Sequence, residues 1–490
     1  MARSPRSVLI LALLLLACSA RARTLRTQAE GRSRPRTGFV NLWVEGLKAM
    51  QLSGVLYSRF LTGTVIPAMK ATTETNARVM RSWCDVMAGK KTAATHVREM
   101  TDRTVSGLRY DPLIHTLGKQ LFGSAKFRGE KVLAENDYFR LTYIPPRRGQ
   151  PKQAAVFHVG GFLPYGDRIF RFLPETNLFK PMHDRGLPIY AMELKERSCS
   201  PEGRAGGADK INVGRCSLDR IIDTIDQFSD VAHRHNGHRM VLEGYCGLGI
   251  QALSYLAAKP ETADRKFSVA ALMVAPVEGR ACKKISEVYS RIPDTVHEAN
   301  RNLAVAMGSR VPGYAIGASM DVSLGALYDK SPAGRFTAGF ENGSWAGVRR
   351  ISDLTPGQRR NLAGAYWISP QCATKHPMPL SVIDLSSNLW RVGIRNGRIP
   401  ARYHGRQLSL QAIRDNTKIK VVGFYGSKDE VVNHQTAEPL KQIFGQRYTH
   451  VVHPGAGHIA YVLSPERWSQ AHKKAFDPNP VDVMLRLHSE

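Results

Sequence analysis

The sequence predicts an α/β fold: a mainly parallel sheet covered by helices on both faces, preceded by a helical region and interrupted by a long insertion. Three observations carry this. From about residue 131 onward, short and nearly continuous apolar runs alternate with helix-like segments, the pattern of strands buried on both faces. Three of these runs end in glycine-rich turns that hold Cys246, Asp429 and His458, and open α/β sheets bind ligands at such strand ends. Finally, about 140 residues separate "MVAPVEG" from "TKIKVVGFYG", where one strand–helix–strand unit needs only about 30.

The chain divides in order as follows. Residues 1–22 read as a signal-like segment: basic "MARSPRS", apolar "VLILALLLLA", then small residues in "CSARA". The apolar run is too short for a membrane span. Residues 23–38 are arginine-rich and cannot bury a core. A signal followed by such a stretch also resembles a two-part plastid address, so secretory and plastid-type routes both stay open. Residues 39–130 repeat apolar positions at three- and four-residue steps and read as helical.

Residues 131–279 form the first part of the sheet-bearing core. Its strands are read in "YFRLTYIPP", "QAAVFHVGGF", "LPIYAMEL", "HRMVLEG" and "FSVAALMVAP". "SLDRIIDTIDQFSDVAHRH" reads as a helix with Ser217 as its N-cap. Residues 280–415 are the insertion, expected to cap the end of the sheet. Residues 416–490 complete the core through "TKIKVVGFYG" and "YTHVVHPG".

Of 490 residues, 69 are basic and 41 acidic, a formal charge of +28. Such a surface favours anionic partners: nucleic acid, anionic lipid, or a phosphorylated substrate such as a coenzyme A thioester. No aromatic–basic module accompanies the charge, so nucleic acid is not expected. None of the seven cysteines forms a CxxC pair, and no metal site is expected. Cys199 and Cys216 flank a glycine-rich loop; a disulfide and two free thiols are equally compatible with that spacing. Asn342-Gly343-Ser344 is a glycosylation sequon, meaningful only on a secretory route.

The stretch "VLEGYCGLGIQAL" places Cys246 between a predicted strand and a predicted helix. The α/β-hydrolase fold puts its nucleophile on such a turn. A thiol at a helix N-terminus gains from the helix dipole, and a neighbouring base completes its activation. The order Cys246, Asp429, His458 is the nucleophile–acid–histidine order of that fold. His458 would take the thiol proton, and Asp429 would orient the imidazole. Glu430 is the alternative acid; His453 and His434 are the rival histidines. The "FHVGGF" loop suggests an oxyanion site made by the N–H of Gly161 or Phe162 with that of Gly247. No GxSxG occurs, so no serine elbow competes.

These residues resemble polyhydroxyalkanoate synthases, which carry a Gly-x-Cys-x-Gly-Gly turn, an acid in a "D-x-I/V-x-P"-like segment and a histidine in "S-G-H-I-A-G-V". "AGHIAYV" is close to the last and "KDEVV" a looser match to the acid segment. "HQTAEPL" and "PGAGHIAYVLSPERW" are similar to segments of intracellular polyhydroxyalkanoate depolymerases. The resemblance spans roughly 131–470. It implies an acyltransferase that moves hydroxyacyl groups from a coenzyme A thioester, through a thioester on Cys246, to a polyester chain. Its implied partners are hydroxyacyl-CoA as substrate and a polyester chain or granule surface, with a homodimer as the assembly considered. No cofactor is implied.

The chain departs from the family at Leu248, where the synthases have glycine, and a larger residue is expected to crowd the turn. Two other readings stand beside acyl transfer: an ester or polyester hydrolase using the same three residues, and a catalytically dead α/β-hydrolase fold that serves as a binding protein.

Overall fold

The computed structural model describes residues 39–147, 154–164, 166–195, 213–325, 327–342, 344–369, 372, 377–463 and 476–490, with side chains from residue 44 other than that of Lys283. The signal-like segment, the arginine-rich stretch, Cys199 and Gly343 of the sequon lie outside the described residues.

Eight strands build one sheet: β1 (Lys131–Glu135), β2 (Phe139–Ile144), β3 (Val156–Val159), β4 (Ile189–Leu194), β5 (Met240–Tyr245), β6 (Phe267–Met273), β7 (Lys420–Gly426) and β8 (Tyr448–His453). Their spatial order is β1-β2-β4-β3-β5-β6-β7-β8. β1 pairs antiparallel with β2, and β2 antiparallel with β4. All other neighbours are parallel. Every residue of β3, β4 and β5 is buried, which is why these strands read as nearly continuous apolar runs, with His158, Glu193 and Glu243 as buried exceptions. The exchange of β3 and β4 in the order, the antiparallel start and the β5–helix turn together define the α/β-hydrolase fold.

Helices cover the sheet for local reasons that are easy to trace. Three helices come first: α1 (Phe39–Phe60), α2 (Ile66–Met87) and α3 (Ala93–Leu113). In the core, α4 (Leu218–Asn236) begins where Ser217 Oγ accepts the Arg220 N–H. It ends at Gly237, left-handed at φ 81°, whose N–H bonds the His233 carbonyl. Leu218, Ile221, Ile222, Ile225 and Phe228 recur at helical spacing on its buried face. Each such side chain stabilises the fold by roughly 1.5–3 kcal/mol. α5 (Gly247–Ala258) follows β5 directly and is buried from Leu248 to Ala258.

The insertion carries α6 (Lys283–Tyr289), α7 (Pro332–Asn342) and α8 (Leu380–Arg391) among its helices. It does not stand alone. α7 lies along α3: a Cβ on Gly107 would sit 2.7 Å from the Phe336 ring, and one on Gly339 would sit 2.6 Å from Tyr110 Cβ. Arg335 pairs with Asp111, and Arg78 with Glu341. The N-terminal helices and the insertion therefore form one continuous layer, which the sequence patterns treat as two separate regions.

Candidate active site

The site lies at the carboxyl end of the parallel strands. β3 leads into Gly160-Gly161, β5 into Cys246, β7 into Asp429 and β8 into His458. Four segments far apart in sequence thus meet because their strands run parallel within one stretch of the sheet, with β6 between β5 and β7.

Cys246 has φ 51° and ψ −127°, a positive φ on a non-glycine residue. That conformation costs of order 1–3 kcal/mol and persists only where its surroundings enforce it. Here the Cys246 N–H bonds the Met273 carbonyl at 2.8 Å, tying the turn to β6. The Gly249 N–H bonds the Cys246 carbonyl at 3.0 Å and starts α5.

Asp429 is the acid that meets the histidine. Its Oδ2 lies 2.9 Å from His458 Nδ1. Its Oδ1 accepts the N–H groups of Val431 and Val432 at 2.8 and 2.7 Å. The carboxylate is therefore held at both oxygens, and its side chain is fully buried. Cys246 lies close enough to the imidazole to add to its upward shift; with Nδ1 committed to Asp429, Nε2 is the nitrogen left for the thiol. Burial opposes a charge on His458. The Asp429 carboxylate and Cys246 outweigh it and hold the imidazole well above its ordinary pKa.

The rivals are engaged elsewhere. Glu430 is exposed and pairs with Lys284 on α6. His453 is buried between the Tyr461 hydroxyl at 2.7 Å and the Pro478 carbonyl at 2.9 Å. His434 sits beside His450, with ring centres 5.9 Å apart.

The residues of the expected oxyanion loop lie against the turn. Gly161 has φ 146°, a region that side chains avoid. A Cβ on Gly160 would lie 1.8 Å from the Met192 carbonyl oxygen, so the loop passes directly over β4. Leu163 reaches within 3.7 Å of the place a Gly247 Cβ would take. Phe162 is buried, edge-on to Phe139 at 5.7 Å.

Leu248 does not crowd the elbow. The close approach falls one residue later: a Cβ on Gly244 would lie 2.7 Å from Gly249 Cα, and one on Gly249 2.6 Å from Ala275 Cβ. Leu248 is fully buried and points toward the Gly161 loop, with Cδ2 3.7 Å from where its Cβ would be. The expectation that Leu248 crowds the turn is corrected here, because Gly249 supplies the clearance that the family's glycine was expected to give. Leu248→Gly should therefore bring no gain in turnover. It should lower stability by about 3–5 kcal/mol, through a buried cavity and a helix glycine. Urea unfolding beside a turnover assay reads both effects.

Several neighbours escape sequence reasoning. The Tyr245 hydroxyl donates to the His458 carbonyl, and its ring lies edge-on to the imidazole at 6.0 Å. His158 and Glu243 are directly opposite one another on β3 and β5 and hydrogen-bond there, both buried. Cys282 lies close enough to Cys246 and Asp429 that both add to the upward push burial gives its thiol. Its place one residue before Cys246 is the signal that could find Tyr245; nothing local announces a cross-strand pair. Cys216, the described half of the expected disulfide choice, is fully buried, and burial pushes its thiol up to about 12.

No protein-family model matches the chain, and no curated protein matches it. Solved structures do. A monoacylglycerol lipase from Paleococcus ferrophilus is 12% identical over 71% of this chain and 99% of its own, with a TM-score of 0.39. A soluble variant of the Saccharomyces cerevisiae monoglyceride lipase is 11% identical over 74% and 96%, with a TM-score of 0.44. A putative lipase from Acinetobacter baumannii is 10% identical over 77% and 97%, with a TM-score of 0.38. At these scores the fold assignment rests on the strand order and the turn after β5. By those features the chain has the α/β-hydrolase fold. Among the described residues, no helix is long and apolar enough to cross a membrane.

Proposed function

We propose that the protein is a cysteine acyltransferase of the polyhydroxyalkanoate synthase type, moving hydroxyacyl groups from coenzyme A thioesters to a polyester chain. The observation that carries this is the 2.9 Å hydrogen bond between Asp429 and His458, with Cys246 beside the imidazole at the carboxyl end of the parallel strands. The nucleophile being a thiol supports a thioester donor. Exchange of one thioester for another is nearly balanced in energy, so the acyl group reaches Cys246 still activated for ester formation.

The residues then have definite work. His458 accepts the Cys246 proton, and the thiolate attacks the donor carbonyl. The oxyanion faces the N–H groups of Gly161 or Phe162 and Gly247. As the C–S bond to coenzyme A breaks, His458 returns the proton to the leaving thiolate. An acceptor hydroxyl next gives its proton to His458 as its oxygen attacks the Cys246 thioester. The new ester departs, and the proton returns to the Cys246–His458 pair. Asp429 keeps the imidazole oriented and stabilises its cation throughout.

The test is thiol release from 3-hydroxybutyryl-CoA by the full chain, with the pellet assayed for polymer. Release with polymer supports the synthase reading. Release without polymer assigns a thioesterase, with water as acceptor. No release by the folded protein removes coenzyme A thioesters as donors.

A further inference from the structure

We propose that the outer face of α2 and α3 is a docking surface for an anionic phospholipid bilayer. Eighteen large apolar side chains are exposed among the described residues, and twelve of them lie between Val44 and Leu108. A scattered Leu or Val needs no explanation, but a concentration on one region does.

On α2 the exposed residues are Ile66, Met69, Met80, Trp83 and Met87. At 100° per residue they share one side of the helix. The opposite side carries Ala71, Ser82 and the Arg78–Glu341 pair, which face the rest of the protein. The apolar stripe is thus surplus to packing. It continues onto α3, where Trp83 meets the His96 ring at 5.3 Å. There Val97, Met100 and Val105 line a shallow groove of about 340 Å³.

An apolar stripe alone fits either a second copy of the chain or a lipid surface. Charge separates them. Residues 66–113 hold eight basic and five acidic side chains, within a chain of net charge +28. Lys70, Arg81, Lys90 and Arg98 are exposed around the stripe, whereas Lys91 engages Glu99. Two such surfaces repel one another, while an anionic bilayer attracts them. An exposed Trp among flexible methionines, flanked by Lys and Arg, suits the boundary between headgroups and acyl chains.

Co-sedimentation of the full chain with mixed phosphatidylcholine–phosphatidylglycerol vesicles tests this. The combined change Met80→Ser, Trp83→Ala and Met87→Ser should weaken binding about tenfold or more. Lys90→Glu with Arg98→Glu should weaken it by a similar factor, and added salt should do the same to the parent chain. The apolar run of residues 8–17 is common to every variant, so these differences report on the helices. Thermal melts check each variant, and Trp83→Ser alone serves if the triple change melts early. Equal binding to pure phosphatidylcholine, or binding unchanged by the substitutions, overturns the proposal. So does a dimer in sedimentation velocity that the triple change dissociates, since a second copy would then cover the stripe. Attachment to polyester granules with none to vesicles overturns it as well.

Discussion

Cys246→Ala is expected to lower thiol release from hydroxyacyl-CoA by about 10³–10⁴-fold or more, because no other group on the turn can hold the acyl chain. Cys246→Ser is the more instructive change. It keeps the turn, the His458 contact and nearly the same volume. A serine hydroxyl ionises far less readily than a thiol, so it depends wholly on His458 removing its proton during attack. The acyl-enzyme also becomes an ester, and transfer to another hydroxyl loses the activation that a thioester carries. The serine variant should therefore release thiol at least about a hundredfold more slowly and should yield free acid in preference to polymer. Mass spectrometry of the parent chain after a short reaction should find one hydroxyacyl unit on Cys246. A labelled residue elsewhere, or full activity in the alanine variant, removes Cys246 from the mechanism.

Asp429→Asn should be nearly as damaging, for a different reason. Val431 and Val432 donate to Oδ1, and an amide oxygen can keep both bonds. The amide nitrogen then faces His458 Nδ1, where a carboxylate oxygen lies at 2.9 Å. An NH₂ group can only donate there, so Nδ1 must accept and Nε2 must carry the proton. An imidazole in that tautomer cannot take a proton from Cys246. Activity should fall by about 10²–10⁴-fold, and alkylation of Cys246 by iodoacetamide at neutral pH should slow with it.

The pH dependence of stability follows from the same pair. His458 is held well above its ordinary pKa in the folded protein by Asp429 and Cys246, against burial. A group raised on folding contributes stability that is fully present below its unfolded pKa, about 6.5 for histidine. That contribution is lost as pH rises through the folded value. Asp429→Asn should thus cost most at acidic and neutral pH and least above the folded pKa of His458. Denaturant unfolding at a series of pH values would show the gap between parent and variant closing as pH rises. A gap that widens with pH would mean that His458 is not the group Asp429 charges.

How much of this was legible in the chain depends on how local each feature is. β3, β4, β5 and β7 are almost wholly buried on both faces, so their sequences are nearly continuous in apolar residues and legible as strands. β1 was not. It is an edge strand, largely exposed, and "KVLAE" carries no continuous run. α4 announced itself through Ser217, its helical periodicity and Gly237. Asp429 could be preferred to Glu430 only from its place after β7, since two neighbouring acids look alike in sequence. The structure separates them by 2.9 Å to His458 for one and an exposed partner in Lys284 for the other.

Leu248 shows the opposite case, where a motif misled. A pattern written as glycine at a fixed offset stands for a steric need, clearance between the turn and the neighbouring strand. Here that clearance is met at Gly244 and Gly249, so a buried leucine takes the intervening position at no cost to the turn.

By itself, then, the sequence determined the alternation of strands and helices, and the places after strand ends where Cys246, Asp429 and His458 stand in that order. These are properties of short windows, governed by burial, capping and turn chemistry. Only the tertiary structure decided which residues meet. The cross-strand pair of His158 with Glu243, the grip of Tyr245 on His458 and the joining of α3 to α7 all link segments distant in the chain. The stripe left bare on α2 is decided the same way, since a helix face is buried or exposed only according to what packs against the other side.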